Sequence, residues 1–164
     1  MRYRIIPERS TLTARARSSL HPIQVQSAGL QGHLEAQVSD GRVELSLPAH
    51  LEFDSERLKS GNPLLDVELV RRLEVRKFPQ VVGEARAIQP VTAGRFSVRG
   101  DLCLHGVTRT LDGEVGVRTS GDTLEVEVEK VIDMRDFDLT PPKILMLRVY
   151  PEVRVSIRLV AKLE

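Results

Sequence analysis

The sequence predicts a mainly β fold in which antiparallel strands form a sandwich or a barrel and a single helix interrupts them. In several segments apolar and polar residues alternate strictly with a period of two, which is typical of strands with one dry face and one solvated face. Turns containing glycine or aspartate separate these segments, as in antiparallel sandwiches and barrels. One segment carries leucines every four residues instead, and this spacing predicts a helix over about 63–75.

Four alternating segments define the predicted strands most clearly, and they span residues 43–53, 96–104, 124–129 and 153–163. Their apolar positions are mostly valine, leucine and alanine, and the whole chain has four Phe, two Tyr and no Trp. An eight-stranded barrel is either filled by side chains or holds one small ligand. Interior side chains of this modest size are compatible with a cavity for an apolar ligand.

The helical segment carries its own start and stop signals. Asn62 is a suitable N-cap, and Pro63 occupies the favoured first helical position. Acidic residues lie near the start and basic residues near the end, as the helix dipole prefers. Pro79 follows and terminates the segment.

Length and composition limit the classes of protein to consider. The 164 residues suit one domain spanning 1–164. A net charge of +1 does not favour nucleic-acid binding. No segment approaches the length of a membrane span, so we expect no integral membrane insertion. The final Leu163-Glu164 resembles an expression-vector remnant and carries no weight here.

Cys103 is the single cysteine of the chain. One cysteine excludes an internal disulfide and a cysteine-based zinc site, and it suits a reducing compartment. The N-terminus has no apolar run of secretory length. We therefore expect a cytoplasmic protein.

Four stretches, in order along nearly the whole chain, resemble the YceI-like lipid-binding family. They are YRIIPERSTLTARARSSL, LEVRKFPQVVGEA, VRGDLCLHGVTRTLDGEVGV and MRDFDL. The third, in which a glycine-containing strand runs into a Gly-Val-Thr turn followed by a basic residue, is similar to the family's most recognisable element. The chain departs from the family at Asp138, where the closing segment of other members commonly has glycine.

The resemblance implies an extended antiparallel, eight-stranded, lipocalin-like barrel that encloses a long apolar channel. It also implies a polyisoprenoid, isoprenoid quinone or fatty-acid-like lipid as ligand, for carriage, storage or sensing, with no enzymatic activity and no cofactor. The inward positions of the strands would form the wall of the channel. These predicted wall residues are Leu12, Ala14, Ala16, Leu45, Leu47, Phe96, Val98, Leu102, Val126, Val128, Val155, Ile157 and Leu159.

Four further residues are candidates for the mouth of the channel. His21 falls between two predicted strands and either contacts a ligand head group or belongs to a rigid turn fixed by Pro22. Arg71 and Arg72 either hold an anionic head group or form the ordinary solvated end of the helix. Met146 lies in an apolar loop that either lines the entrance or is buried in a homodimer contact.

Cys103 and His105 are two residues apart on one strand, which would place them on one face. A Cys/His dyad would permit nucleophilic chemistry, but no orienting residue or short-spaced metal partner accompanies the pair. We therefore predict no catalytic residue and no metal site, with Cys103 facing outward and His105 in a solvated turn. A barrel filled by side chains, acting as a structural or interaction module, is the alternative function.

Overall fold

Eleven strands and one α-helix make up the fold in the computed structural model, which describes all residues from 1 to 164. Three short 3-10 helices at Pro7–Arg9, Ser55–Arg57 and Met134–Phe137 connect them. The strands are β1 (Arg2–Ile5), β2 (Thr11–Ser18), β3 (Ile23–Ser27), β4 (Gln31–Ser39), β5 (Arg42–Asp54), β6 (Gln80–Thr92), β7 (Arg95–Leu104), β8 (Val107–Ser120), β9 (Thr123–Asp133), β10 (Lys143–Ile144) and β11 (Leu147–Leu163). The helix is α1 (Pro63–Leu73).

The strands close into an antiparallel barrel with eight strand positions. β1 and β2 act as one broken strand, because both pair with β11 on one side while β4 and β3 pair with them on the other. From β4 the order runs through β5, β6, β7, β8 and β9 back to β11. Closure leaves every strand position paired on both sides, and the predicted eight-stranded lipocalin-like barrel is confirmed.

An irregularity in β5 corrects one predicted position. The pairing of β4 with β5 passes from Leu34↔Ala49 to Glu35↔Ser46, so Leu47 and Pro48 are extra residues in β5. Two extra residues displace the side chains locally from the regular alternation. Leu47 is 46% exposed, and its predicted place on the interior wall is wrong.

α1 covers one end of the barrel, called here the α1 mouth. The side-chain oxygen of Asn62 accepts hydrogen bonds from the backbone N–H groups of Leu64 and Leu65, at 3.0 and 3.3 Å, which confirms the predicted N-cap. The helix ends at Leu73, because Glu74 adopts a left-handed conformation with φ of 48°. The predicted end at residue 75 was therefore two residues too late.

The core divides the barrel into a packed end and a hollow end. The largest buried cluster has fifteen apolar residues, and Phe96 is among them at 3% exposure. Three of its members, Leu12, Phe53 and Val81, also border the cavity beneath α1, and Phe96 belongs to the part that packs away from α1. At the α1 mouth two smaller clusters join α1 to β3, to β11 and to the Met134–Phe137 turn. No helix has the length and apolarity that a bilayer crossing requires.

Candidate functional site

A first cavity of about 210 Å³ lies directly beneath α1. Twenty-one of its 23 lining residues are hydrophobic. The helix contributes Leu65, Leu69 and Leu73, which explains the spacing of four that defines its apolar stripe. Strand β2 contributes Ala14 and Ala16 from the opposite side.

A second cavity of about 280 Å³ continues the first towards the packed end. The two volumes together fall in the usual range of about 300–1,000 Å³ for small-molecule sites. Both cavities are bordered by the same six residues, so they are adjacent compartments of one channel. The shared residues are Leu51, Gly83, Leu102, Ile132, Val155 and Ile157.

Small residues at inward positions keep this channel open. A Cβ atom at Gly83 would meet nothing closer than the Leu51 carbonyl oxygen, at 3.9 Å. Ala14, Ala49 and Ala85 also line the cavities with a single methyl group each. A larger side chain at any of these positions would occupy part of the volume, so the small residues help to keep the channel open.

Eleven of the thirteen predicted wall residues line one or both cavities. The first exception is Leu47, which the irregularity in β5 turns outward. The second is Phe96, which points inward but is packed in the core and borders neither cavity. Ligand contact by the eleven remains a prediction. They are Leu12, Ala14, Ala16, Leu45, Val98, Leu102, Val126, Val128, Val155, Ile157 and Leu159.

Lys130 is a half-buried basic residue on the wall of the second cavity, and it was not among the predicted site residues. It pairs with Val155, whose side chain lines both cavities, and directly paired residues point to the same side of a sheet. The ladder between β8 and β9 ends at Val115↔Val128, and the Lys130 ammonium donates to the Asp112 carbonyl oxygen across the gap that follows. The signal was its position two residues beyond Val128 in the alternating run.

None of the four predicted mouth residues lines either cavity. His21 is exposed in the turn after β2, and its backbone N–H donates to the Ser18 hydroxyl at 3.0 Å. Arg71 and Arg72 both pair with Glu68, at 3.7 and 3.2 Å. Met146 is 83% exposed in the loop before β11. Their contact with a ligand remains a prediction.

His105 is a packed structural residue, and its predicted place in a solvated turn is wrong. Its side chain is 11% exposed, and Nε2 lies 2.6 Å from Oε2 of Glu74 at the end of α1. Nδ1 donates to the Phe137 carbonyl oxygen at 3.0 Å. The Phe78 ring meets the imidazole edge-on with 5.2 Å between ring centroids.

Gly106, beside His105, is required by the same packing. Its φ is +72°, and a Cβ atom there would lie 2.3 Å from Cε1 of Phe78. The His-Gly turn therefore fastens the hairpin between β7 and β8 against the end of α1. Cys103, two residues earlier, is paired with Thr108 and Val82 within the sheet. The contacts of the His105 ring are with Glu74, Phe78 and Phe137, and none is with Cys103.

A second histidine cluster lies between β5 and β6, where His50 and Glu84 also border the second cavity. His50 joins Glu84 of β6 at 2.7 Å and Glu52 of its own strand at 3.2 Å. Burial alone would lower the pKa of His50, but the hydrogen bonds and charges of the two carboxylates outweigh it, so the pKa is raised. His33 stacks on the ring. No three or more His, Cys, Asp or Glu side chains are grouped to hold a metal ion.

A closed antiparallel barrel with an apolar, ligand-sized channel defines the class: a lipocalin-like barrel. A family model described as the YceI-like domain matches residues 3–161, and the chain belongs to this family. A comparison with curated proteins finds no match. The resemblance inferred from the four sequence stretches is thereby confirmed.

Solved structures share the fold at low sequence identity. BcnA from Burkholderia cenocepacia aligns with a TM-score of 0.82 and 16% identity, over 96% of this chain and 99% of that one. A polyisoprenoid binding domain from Saccharophagus degradans, implicated in plant cell wall breakdown, aligns with a TM-score of 0.77 and 16% identity, over 99% and 98%. The YCEI protein of Campylobacter jejuni aligns with a TM-score of 0.65 and 12% identity, over 80% of each chain.

Proposed function

We propose that this protein binds a long-chain amphipathic lipid, of the polyisoprenoid or isoprenoid quinone type, inside the channel. The observation that carries the proposal is the pair of connected cavities, whose shared wall is entirely apolar apart from the backbone. The Saccharophagus degradans domain with the same fold is described as polyisoprenoid binding, which supports an isoprenoid rather than a compact ligand. Because the interior is hollow at the α1 mouth, a filled barrel is the weaker alternative.

Apolar burial would supply the affinity. Each buried CH₂-sized group contributes about 0.8 kcal/mol, so one five-carbon isoprene unit contributes roughly 4 kcal/mol before ordering costs. Association costs about 4–15 kcal/mol in lost translational and rotational freedom. About four buried units would exceed that cost, which favours a polymeric chain over a single short one.

Lys130 would orient the polar end of such a ligand within the second cavity. Its stem lines the apolar wall while its ammonium reaches the gap between β8 and β9, an arrangement that suits an amphipathic molecule. His21, Arg71, Arg72 and Met146 remain proposed contacts of any part that emerges at the α1 mouth.

The proposal includes a non-catalytic role in lipid carriage, storage or sensing. The expected cytoplasmic location belongs to it as well, and fractionation of the source cells tests that location. Carriage predicts transfer of bound lipid to acceptor vesicles, whereas storage predicts slow release.

The decisive experiment is organic extraction and mass spectrometry of the protein purified from its own host. We expect a stoichiometric isoprenoid lipid in the wild-type protein and at least a tenfold loss in Ala14→Phe, because phenylalanine fills the first cavity. Thr13→Phe, at the neighbouring position on the opposite face of β2, is the matched control and should retain the lipid. Absence of lipid from the wild type, or equal retention in folded Ala14→Phe, would refute the proposal.

A further inference from the structure

Two loops are joined side by side at the α1 mouth. The first links β2 to β3 (residues 19–22), and the second links β10 to β11 (residues 145–146). The Ser19 hydroxyl donates to the Met146 carbonyl oxygen at 3.1 Å and accepts from the Arg148 backbone N–H at 2.9 Å. The Ser19 backbone N–H donates to the Arg148 carbonyl oxygen at 2.9 Å. Three hydrogen bonds thus hold the loops together as one surface, called here the loop pair.

The loop pair presents three exposed large apolar side chains, two of which are the most exposed of that kind in the molecule. Leu145 is 86% exposed, Met146 83% and Leu20 66%. Leu64 and Val67, three residues apart on α1, are also exposed. Most such residues pack inward, and a concentration of them at one end of a protein marks an interaction surface.

The two segments that carry the loop pair contain basic residues but no acidic ones. Residues 10–34 and 139–151 contain no Asp or Glu. Arg17, Lys143 and Arg148 lie in these segments, and none has a carboxylate within 4.0 Å. Elsewhere on the barrel, arginines pair across strands, as Arg99 does with Asp112 at 2.9 Å.

The acidic residues of α1 form no ion pair with these basic side chains. Asp66 accepts hydrogen bonds from the backbone and the hydroxyl of Ser60, both at 2.7 Å. Glu68 is paired with Arg71 and Arg72. The basic side chains that flank the loop pair, Arg17, Lys143 and Arg148, therefore remain available to an external anion.

From this combination we propose that the loop pair docks the protein on an anionic lipid bilayer. Apolar tips that enter the interface, flanked by basic side chains that meet lipid phosphates, are the two features that membrane-surface binding needs. A second copy of the same face would bring like charges together, which disfavours a homodimer through this surface.

Docking here would bring the α1 mouth to the bilayer. Ile23 and Pro142, which flank the two loops, line the first cavity. A lipid could then pass between the bilayer and the channel without crossing water. This consequence rests on the proposed lipid-binding function, whereas docking itself does not.

Vesicle sedimentation tests the docking surface. Wild-type protein should bind vesicles of phosphatidylcholine mixed with phosphatidylglycerol much more tightly than vesicles of phosphatidylcholine alone, and added salt should weaken the binding. Each basic side chain near an anionic surface contributes about fivefold, so the triple variant Arg17→Gln/Lys143→Gln/Arg148→Gln should bind on the order of 100-fold more weakly.

A second pair of variants separates insertion from charge. Leu145→Asp/Met146→Asp should lose vesicle binding, whereas Val91→Asp should keep it. Val91 is also an exposed apolar residue, at 53%, but it lies at the packed end of the barrel. Equal effects of the two variants, or equal binding to both kinds of vesicle, would overturn the proposal. The proposal would also be overturned if the wild type did not bind vesicles and instead formed a homodimer that Leu145→Asp/Met146→Asp dissociates.

The outcome is separable from that of the proposed function. If lipid is recovered from the purified protein but the protein does not bind anionic vesicles, docking alone is refuted. Protein that binds the vesicles but contains no lipid refutes the proposed function alone.

Discussion

Replacing His105 by alanine is expected to destabilise the fold by about 2–3 kcal/mol, because it removes two hydrogen bonds and leaves a partner carbonyl unpaired. One bond goes to the Phe137 carbonyl oxygen at 3.0 Å, and the other contact joins the imidazole to Glu74 at 2.6 Å. Glu74 is half exposed, which keeps the second contribution at the lower end of the range for charged pairs. For a domain of this size the midpoint of thermal unfolding should fall by about 4–12 °C.

Thermal and urea unfolding followed by circular dichroism measure this change. His21→Ala removes an exposed histidine from another turn and should be nearly neutral. A double-mutant cycle of His105→Ala with Glu74→Gln isolates the contribution of the pair, expected at about 0.5–3 kcal/mol. A change below about 0.5 kcal/mol in His105→Ala would refute the structural role. A loss of bound lipid without loss of stability would instead indicate a role of His105 in ligand binding.

Two further predictions concern the His50 cluster and β5. The folded pKa of His50 is raised above 6.5, so its stabilising contribution is complete below that value and is lost as the pH rises through the folded pKa. The difference in unfolding free energy between wild type and His50→Gln should therefore shrink from about pH 5.5 to about pH 8.5, and a constant difference in urea titrations would contradict the assigned contacts. Leu45→Ala should cost about 2 kcal/mol by enlarging the second cavity, whereas Leu47→Ala should stay within about 0.5 kcal/mol; equal costs in chemical denaturation would argue against the β5 irregularity.

Period-two alternation predicted most of the channel wall because a side chain's face depends only on strand parity. That rule failed at Leu47. Leu47 and Pro48 are extra residues in β5 and have no pairing partner between Leu34 and Glu35 of β4. Nothing within residues 42–54 reveals the insertion except Pro48, since the partner strand sets the register. Lys130 obeyed the parity rule and was overlooked because its charge suggested the outer face.

His105 shows a different limit. Its partners, Glu74 and Phe137, lie 31 and 32 residues away along the chain. Only the closure of the barrel brings the end of α1 and the Met134–Phe137 turn against this hairpin. A short motif therefore identified the family correctly while its histidine was assigned to the wrong environment.

The sequence by itself determined the antiparallel β class, the N-cap and apolar stripe of α1, and the dry face of each regular strand. These properties depend on residues close together in the chain, so local rules suffice for them. Only the tertiary structure decided where the interior is hollow, which bulge turns Leu47 outward, and which loops share the exposed surface at the α1 mouth. Each of these depends on contacts between distant segments, because the volume enclosed by a barrel is set by all of its strands together.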